Sequence, residues 1–202
     1  MKQLPHRALL LVLALLTCAP ASLAADDFAV PATDDGLPGQ GLIIRDDWFK
    51  KLWLNKRTAW ASRVEQDQGA VVFLGDSITQ GWGDNLGGSF GDLKVANRGI
   101  SGDTTRGVLI RLEQDVLKLN PKAIVILIGT NDIGRGDTPE SAAANLKLIL
   151  EKIKKHDADL PVVLCAVMPS HASKRRPTEA IKKLNDLYAN LVWGDRQITL
   201  VD

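Results

Sequence analysis

Cysteine is scarce in this chain. Cys18 and Cys165 are the only two in 202 residues, too few for a disulfide framework. No sign of charge dominates either. Lys and Arg number 25 against 24 Asp and Glu, a formal net charge of +1. Neither nucleic acid nor an acidic membrane surface is therefore an indicated partner. Histidine is rare, with His6, His156 and His171 the full set. No internal repeat is visible. What is present is an ordinary globular mix, 45% hydrophobic and 24% charged, with length for about one domain.

The first 24 residues read as an export signal. Met1 to Arg7 carries Lys2 and Arg7, Ala8 to Leu16 is wholly apolar, and Thr17 to Ala25 is rich in small residues. That is the order of a cleavable secretory signal, with Ser22 and Ala24 as the small residues before a cut at Ala25. The apolar run is too short to span a bilayer comfortably. An uncleaved anchor or a lipid on Cys18 are the alternatives. A secreted or periplasmic protein with no membrane span after signal removal is expected. Removing Lys2 and Arg7 leaves 23 basic against 24 acidic residues, and removing Cys18 leaves Cys165 alone in an apolar run. A lone cysteine in such a run reads as a small hydrophobe.

Residues 25–44 are poor in periodicity and rich in Asp, Pro and Gly; they read as a flexible lead-in. A single domain is expected over 45–202. Asp46 and Asp47 precede Trp48, Phe49, Leu52, Trp53, Trp60 and Val64, a spacing that suits an amphipathic helix docked by its aromatics. Short apolar runs then alternate with helical patterns. Strands are predicted at 70–74, 93–96, 123–128, 162–167 and 198–201, and helices near 104–119, 138–156 and 177–193. Such alternation implies an α/β domain with a mostly parallel five-stranded sheet covered on both faces. Right-handed crossovers bring the strand C-terminal ends to one edge, where ligands of open α/β sheets bind.

Three loops leave that edge. In Gly75-Asp76-Ser77-Ile78-Thr79-Gln80-Gly81-Trp82, a serine enters a helix directly after a buried strand. Its hydroxyl and N–H there suit a nucleophile beside developing negative charge, a plain N-cap, or a phosphate cradle of the kind that holds FMN. Asn97 to Thr105 is a Gly-rich turn that lets backbone approach a ligand. Gly129-Thr130-Asn131-Asp132 carries an amide able to reach the same crevice, or an Asx-turn. Singly each is weak. Together a hydroxyl, a glycine N–H and a side-chain amide make a nucleophile beside an oxyanion hole.

These blocks resemble the SGNH hydrolases, the GDSL-type esterases and lipases. Gly75 to Gly81 matches the first family block, Asn97 to Thr104 the second and Gly129 to Asp132 the third. The phrases Phe73 to Thr79 and Gly99 to Thr105 are most similar to the platelet-activating-factor-acetylhydrolase-like and lysophospholipase-like branch. The resemblance covers about residues 45–202. It implies a three-layer α/β/α fold with a flavodoxin-like sheet. It implies Ser77 as nucleophile, with the oxyanion held by the Ser77 and Gly102 N–H groups and the Asn131 side chain. It implies Asp76, Asp103 and Asp132 as loop-holding residues, and no metal or cofactor. Trp82 either lines the acyl or leaving-group pocket or simply packs. The substrate class implied is a small acyl ester: a lysophospholipid, a short-chain acyl ester or an acetylated carbohydrate.

A serine nucleophile needs a base, and the base needs an orienting group. The family carries both in an Asp-x-x-His block after the fifth strand, and no such block is present here. His156 lies in a solvated helix end. His171 follows the fourth strand at the right edge but in the wrong segment for the family base, and reads as a possible substrate contact. Lys174-Arg175-Arg176 beside it reads as a solvated loop rather than an anion site. The expectation is a domain truncated after its fifth strand. The competing readings are a non-catalytic ligand-binding remnant of this fold and a flavodoxin-like FMN binder.

Overall fold

The computed structural model describes residues 25–170 and 175–202; the expected export signal and His171 lie outside them. Five short runs rich in Val, Ile and Leu pair as strands: β1 (Val71–Gly75), β2 (Val95–Gly99), β3 (Ala123–Leu127), β4 (Val162–Cys165) and β5 (Ile198–Val201). All pairings are parallel, in the order β2-β1-β3-β4-β5. The helices are α1 (Asp47–Ala61), α2 (Val64–Asp67), α3 (Ser77–Gly81), α4 (Thr105–Asp115), α5 (Thr130–Gly134), α6 (Pro139–His156) and α7 (Thr178–Val192). Thr138 caps α6 at the start of the helix predicted over 138–156: its side chain accepts from Ser141 N, and Pro139 sits at the first helical position, where a missing N–H costs nothing.

Side-chain alternation assigns the two sheet faces. Val72, Leu74, Ile124, Ile126, Val162 and Leu164 are buried together with Val108 and Leu112 of α4, Leu146, Ile149 and Ile153 of α6, and Ile181 and Leu184 of α7. The opposite face carries Phe73, Val125, Leu127 and Cys165. It is roofed more thinly, by α3 and the turns that follow it, leaving an apolar cleft of about 180 Å³. Helix α1 docks by Phe49, Trp53 and Trp60 in a second cluster with Ile44 and Ile100. Among the described residues no helix is long and apolar enough to cross a membrane.

Two expectations change. The second strand runs over 95–99, not 93–96, and so includes polar Asn97 and Arg98. Both are buried because both find partners. Asn97 donates to Thr79 O and Gly83 O, and Arg98 pairs with Asp67, so neither leaves an unsatisfied buried group. The lead-in at 25–44 is not loosely attached. Arg106 donates to Pro38 O and Gly41 O, the Asn145 amide brackets Gln40 from both sides, and Phe28, Ile43 and Ile44 are buried.

The edge strand β5 leaves Leu200 and Val201 exposed. An exposed apolar edge invites pairing with another chain. Static light scattering is expected to show association that grows with protein concentration and weakens in Leu200→Lys. Equal scattering by the two proteins would rule out the edge as its cause.

Candidate active site

The strand register sets the site. Gly75 lies opposite Gly99 on β2 and Leu127 on β3, so the three loops singled out in the sequence leave the sheet at one level. Ser77 is the exposed first residue of α3. Asp76 before it is buried, and its Oδ1 accepts from Ile78 N at 2.9 Å, capping the short helix. Burial raises the Asp76 pKa, with the Ile78 N–H and nearby Arg176 opposing.

The second loop is locked against the first. Ile100 N donates to Gly75 O, and Ser101 N donates to the Gln80 side chain. Asp103 N closes a turn onto Ile100 O, and Thr104 N is taken by Asp103 Oδ1. The Gly102 N–H takes no part in these bonds. Gly102 has φ +87°, and an added Cβ would stand 2.7 Å from the Trp48 ring; both the conformation and the space require glycine.

The third loop arrives as the short helix α5 rather than as the loop expected from its sequence. Its Asn131 is the joint between all three. Asn131 Nδ2 donates to Asp103 O at 2.9 Å and to Asp76 Oδ2 at 3.3 Å. Asn131 Oδ1 accepts from Arg176 Nη2 at 3.1 Å, while Arg176 Nε donates to Thr130 O. A guanidinium only donates, so Arg176 fixes which way the amide faces. Asp132 accepts from Thr105 N and Oγ and fastens α5 to α4; burial pushes its pKa up to about 7.

Behind the loops is a buried set of ion pairs that sequence reasoning missed. Arg111 Nε donates to Asp103 Oδ2 at 2.8 Å, and its Nη2 donates to Arg98 O and Gly75 O. One side chain thus grips the ends of β1 and β2 and the residue after Gly102. Arg57 pairs with Asp115, and Trp53 and Trp60 lie against the guanidinium groups. Asp103 is fully buried, and its desolvation outweighs the Arg111 charge, placing its pKa at about 6.

Two openings flank Ser77. On the Ile78 side is the apolar cleft, lined by Phe73, Trp82, Leu86, Phe90, Leu127 and Cys165. Trp82 is more than half exposed and walls this cleft. On the Gly102 side is a broad polar opening of about 580 Å³, lined by Trp48, Gly102, Asn131, Gly134, Arg135, Arg175 and Arg176. Trp48 therefore shapes the site while the other aromatics of α1 dock. His156 ends α6 just before β4, which puts it at the opposite sheet edge. Among the described residues no group of three His, Cys, Asp or Glu is placed to hold a metal.

The comparisons with known proteins agree with this geometry. The chain is 27% identical over 157 residues to the bovine platelet-activating factor acetylhydrolase IB subunit alpha1, covering 74% of this chain and 65% of that protein. The chain thus spans less than two thirds of this relative's length. A GDSL-like lipase structure from Bacteroides thetaiotaomicron superposes with TM-score 0.59 at 28% identity, over 75% of this chain and 76% of that one. A lipase/acylhydrolase structure from Enterococcus faecalis gives TM-score 0.54 at 26% identity, over 66% and 75%. The GDSL-like lipase/acylhydrolase family model matches residues 73–202. With that match over more than half its length, and five parallel strands and flanking helices in the arrangement of the SGNH hydrolases, the chain belongs to the GDSL-like lipase/acylhydrolase family.

Proposed function

We propose that this protein is an exported serine ester hydrolase in which Ser77 is the nucleophile. Ser77 Oγ attacks the acyl carbon of an ester as a base takes its proton, and the alcohol leaves. Water then releases the acid from the acyl-enzyme. The Ser77 and Gly102 N–H groups and the Asn131 amide bind the oxyanion. The observation that carries this reading is the bridge Asn131 makes from Asp103 O to Asp76 Oδ2, which draws three loops together beside an exposed serine. Its 3.3 Å arm is longer than a usual N–H···O bond. That hydrogen is the more weakly held of the two, and the one a substrate oxygen placed beside Ser77 would take. The apolar cleft beside Ile78 suits the acyl chain. An acetylhydrolase among the relatives favours a short acyl group over a long one.

A second reading, a ligand-binding protein without turnover, is favoured by one observation. His156 is the only histidine among the described residues, and it lies at the far edge of the sheet. A site with an oxyanion hole but no base keeps only a remnant of catalysis.

Hydrolysis of 4-nitrophenyl acetate separates the two. A positioned base contributes about 10²–10⁴-fold. Free imidazole is not held in place and should reach the lower end. Imidazole is expected to raise wild-type hydrolysis by about 10²-fold over what it does with Ser77→Ala. No difference between the two proteins at any imidazole concentration sinks the nucleophile assignment and leaves the binding reading. Ser77-dependent turnover without imidazole, lost in His171→Ala, assigns the base to His171.

A further inference from the structure

We infer that the polar opening beside Gly102 is a subsite for a compact anionic group, carboxylate or phosphate, carried by the ester; this rests on the ester-hydrolase reading of Ser77. Three guanidinium groups reach one opening from two segments: Arg135 after α5, and Arg175 and Arg176 before α7. Among the described residues no Asp or Glu lines it. Asp46, on its margin, pairs with Arg135 at 3.0 Å, with both side chains substantially exposed, so that pair is weakly held and well hydrated. Asp76 balances Arg176 in part from behind Asn131. The opening keeps a surplus of positive charge beside the point where an acyl oxygen would sit.

Arg176 is preorganised. It donates to Thr130 O and Asn131 Oδ1, and it lies flat on Gly134, where an added Cβ would meet three guanidinium atoms at 3.0 Å. A guanidinium fixed in this way loses little freedom on meeting an anion. Trp48 supplies an apolar wall opposite. The two sides of Ser77 thus differ in chemistry, apolar toward Ile78 and cationic toward Gly102. A bound ester has its orientation set by which half is charged. Two parallel N–H···O bonds suit carboxylate and phosphate equally.

The test needs no turnover. Monomethyl succinate, glycerol 3-phosphate and neutral dimethyl succinate are titrated into the ¹⁵N-labelled protein. The amides of Gly102, Asn131 and Gly134 and the Trp48 indole are followed. One or both anions are expected to move these four signals, and the tighter binder identifies the group. Added salt is expected to weaken binding, and the double variant Arg135→Gln/Arg175→Gln to weaken it by about ten-fold or more, one charge-assisted hydrogen bond being worth that much. Both positions are at the surface, and Gly134→Val, which displaces Arg176, is a second route to the same loss. Equal binding of dimethyl succinate, or unchanged affinity in both variants, overturns the subsite. If these signals respond but the imidazole assay shows no Ser77 dependence, the anion subsite stands and the hydrolase reading falls. The converse result removes the subsite alone.

Discussion

Arg111→Ala is expected to destabilise the protein by about 3–5 kcal/mol, read as a lower urea midpoint, because it breaks a buried ion pair by removing one partner. Arg111 has no exposed surface and Asp103 has none to receive water in its place. The variant leaves Asp103 beside Arg98 O and Gly75 O with the cation gone. Three carbonyl or carboxylate oxygens lose a donor at once, and each uncompensated buried group adds to the cost. The guanidinium also lies against Trp53 and Trp60 at 5.9 and 5.6 Å, so the vacated space joins a loss of packing to a loss of charge.

The charge contribution can be isolated. Asp103 titrates at about 6 in the folded protein, held down from a higher value by Arg111. As pH falls below 6 the carboxyl becomes neutral in both proteins, and the penalty of Arg111→Ala should shrink. Adding Asp103→Asn to Arg111→Met should likewise recover part of the loss, since removing both charges is milder than removing one. A cost under about 1 kcal/mol at neutral pH, or one that does not change with pH, would mean that the pair contributes no more than a surface pair does.

This network also marks where sequence reading stopped. Val72, Ile124 and Leu164 announced buried strands through composition, and Thr138-Pro139 announced a helix start through its own side chains. Ser77, Gly102 and Asn131 stood out because each sits just past a strand end, and parallel strands end together. Arg111 has no such local mark. It follows Ile110 in an ordinary helical pattern, and its partners are Asp103, eight residues back and outside the helix, and the carbonyls of two strands. Arg98–Asp67 and Arg57–Asp115 join positions 31 and 58 residues apart, a distance at which charge patterning carries no information. Helix α5 was missed because five residues beginning Thr-Asn-Asp look like a turn; it is held by tertiary bonds from Asp132 and Arg176. Arg176 read as solvated for the same reason. Its role depends on the α5 backbone lying beside it.

Stability is expected to fall as pH rises from about 4 to about 7, and Asp132 is the principal cause. The residue is 1% exposed and bonded to Thr105 N and Oγ, and among the described residues no cation forms an ion pair with it. Its ordinary pKa of 3.8 applies to the unfolded chain, and burial raises it to about 7 in the folded protein. Between these values the folded state binds more protons than the unfolded state, which makes the slope of stability against pH negative. Above 7 the carboxylate is charged in both states and the slope vanishes. At about 1.36 kcal/mol per unit the loss is on the order of 4 kcal/mol. Asp103 acts in the same direction up to about pH 6. Asp34, Glu140 and Asp195, lowered by Arg45, Lys183 and Lys154, act in the opposite direction at the acid end only. Asp132→Asn is nearly isosteric and neutral at every pH. An amide there can still accept from Thr105 N and donate to Thr105 Oγ. Urea midpoints measured across this range should fall steeply for the wild type. For Asp132→Asn they should fall only by the shares of Asp103 and of Asp76, whose pKa burial also raises, with the variant the more stable protein at pH 7. A wild-type midpoint that rises through this interval would show that Asp132 is charged in the fold, held by its two Thr105 bonds against the cost of burial.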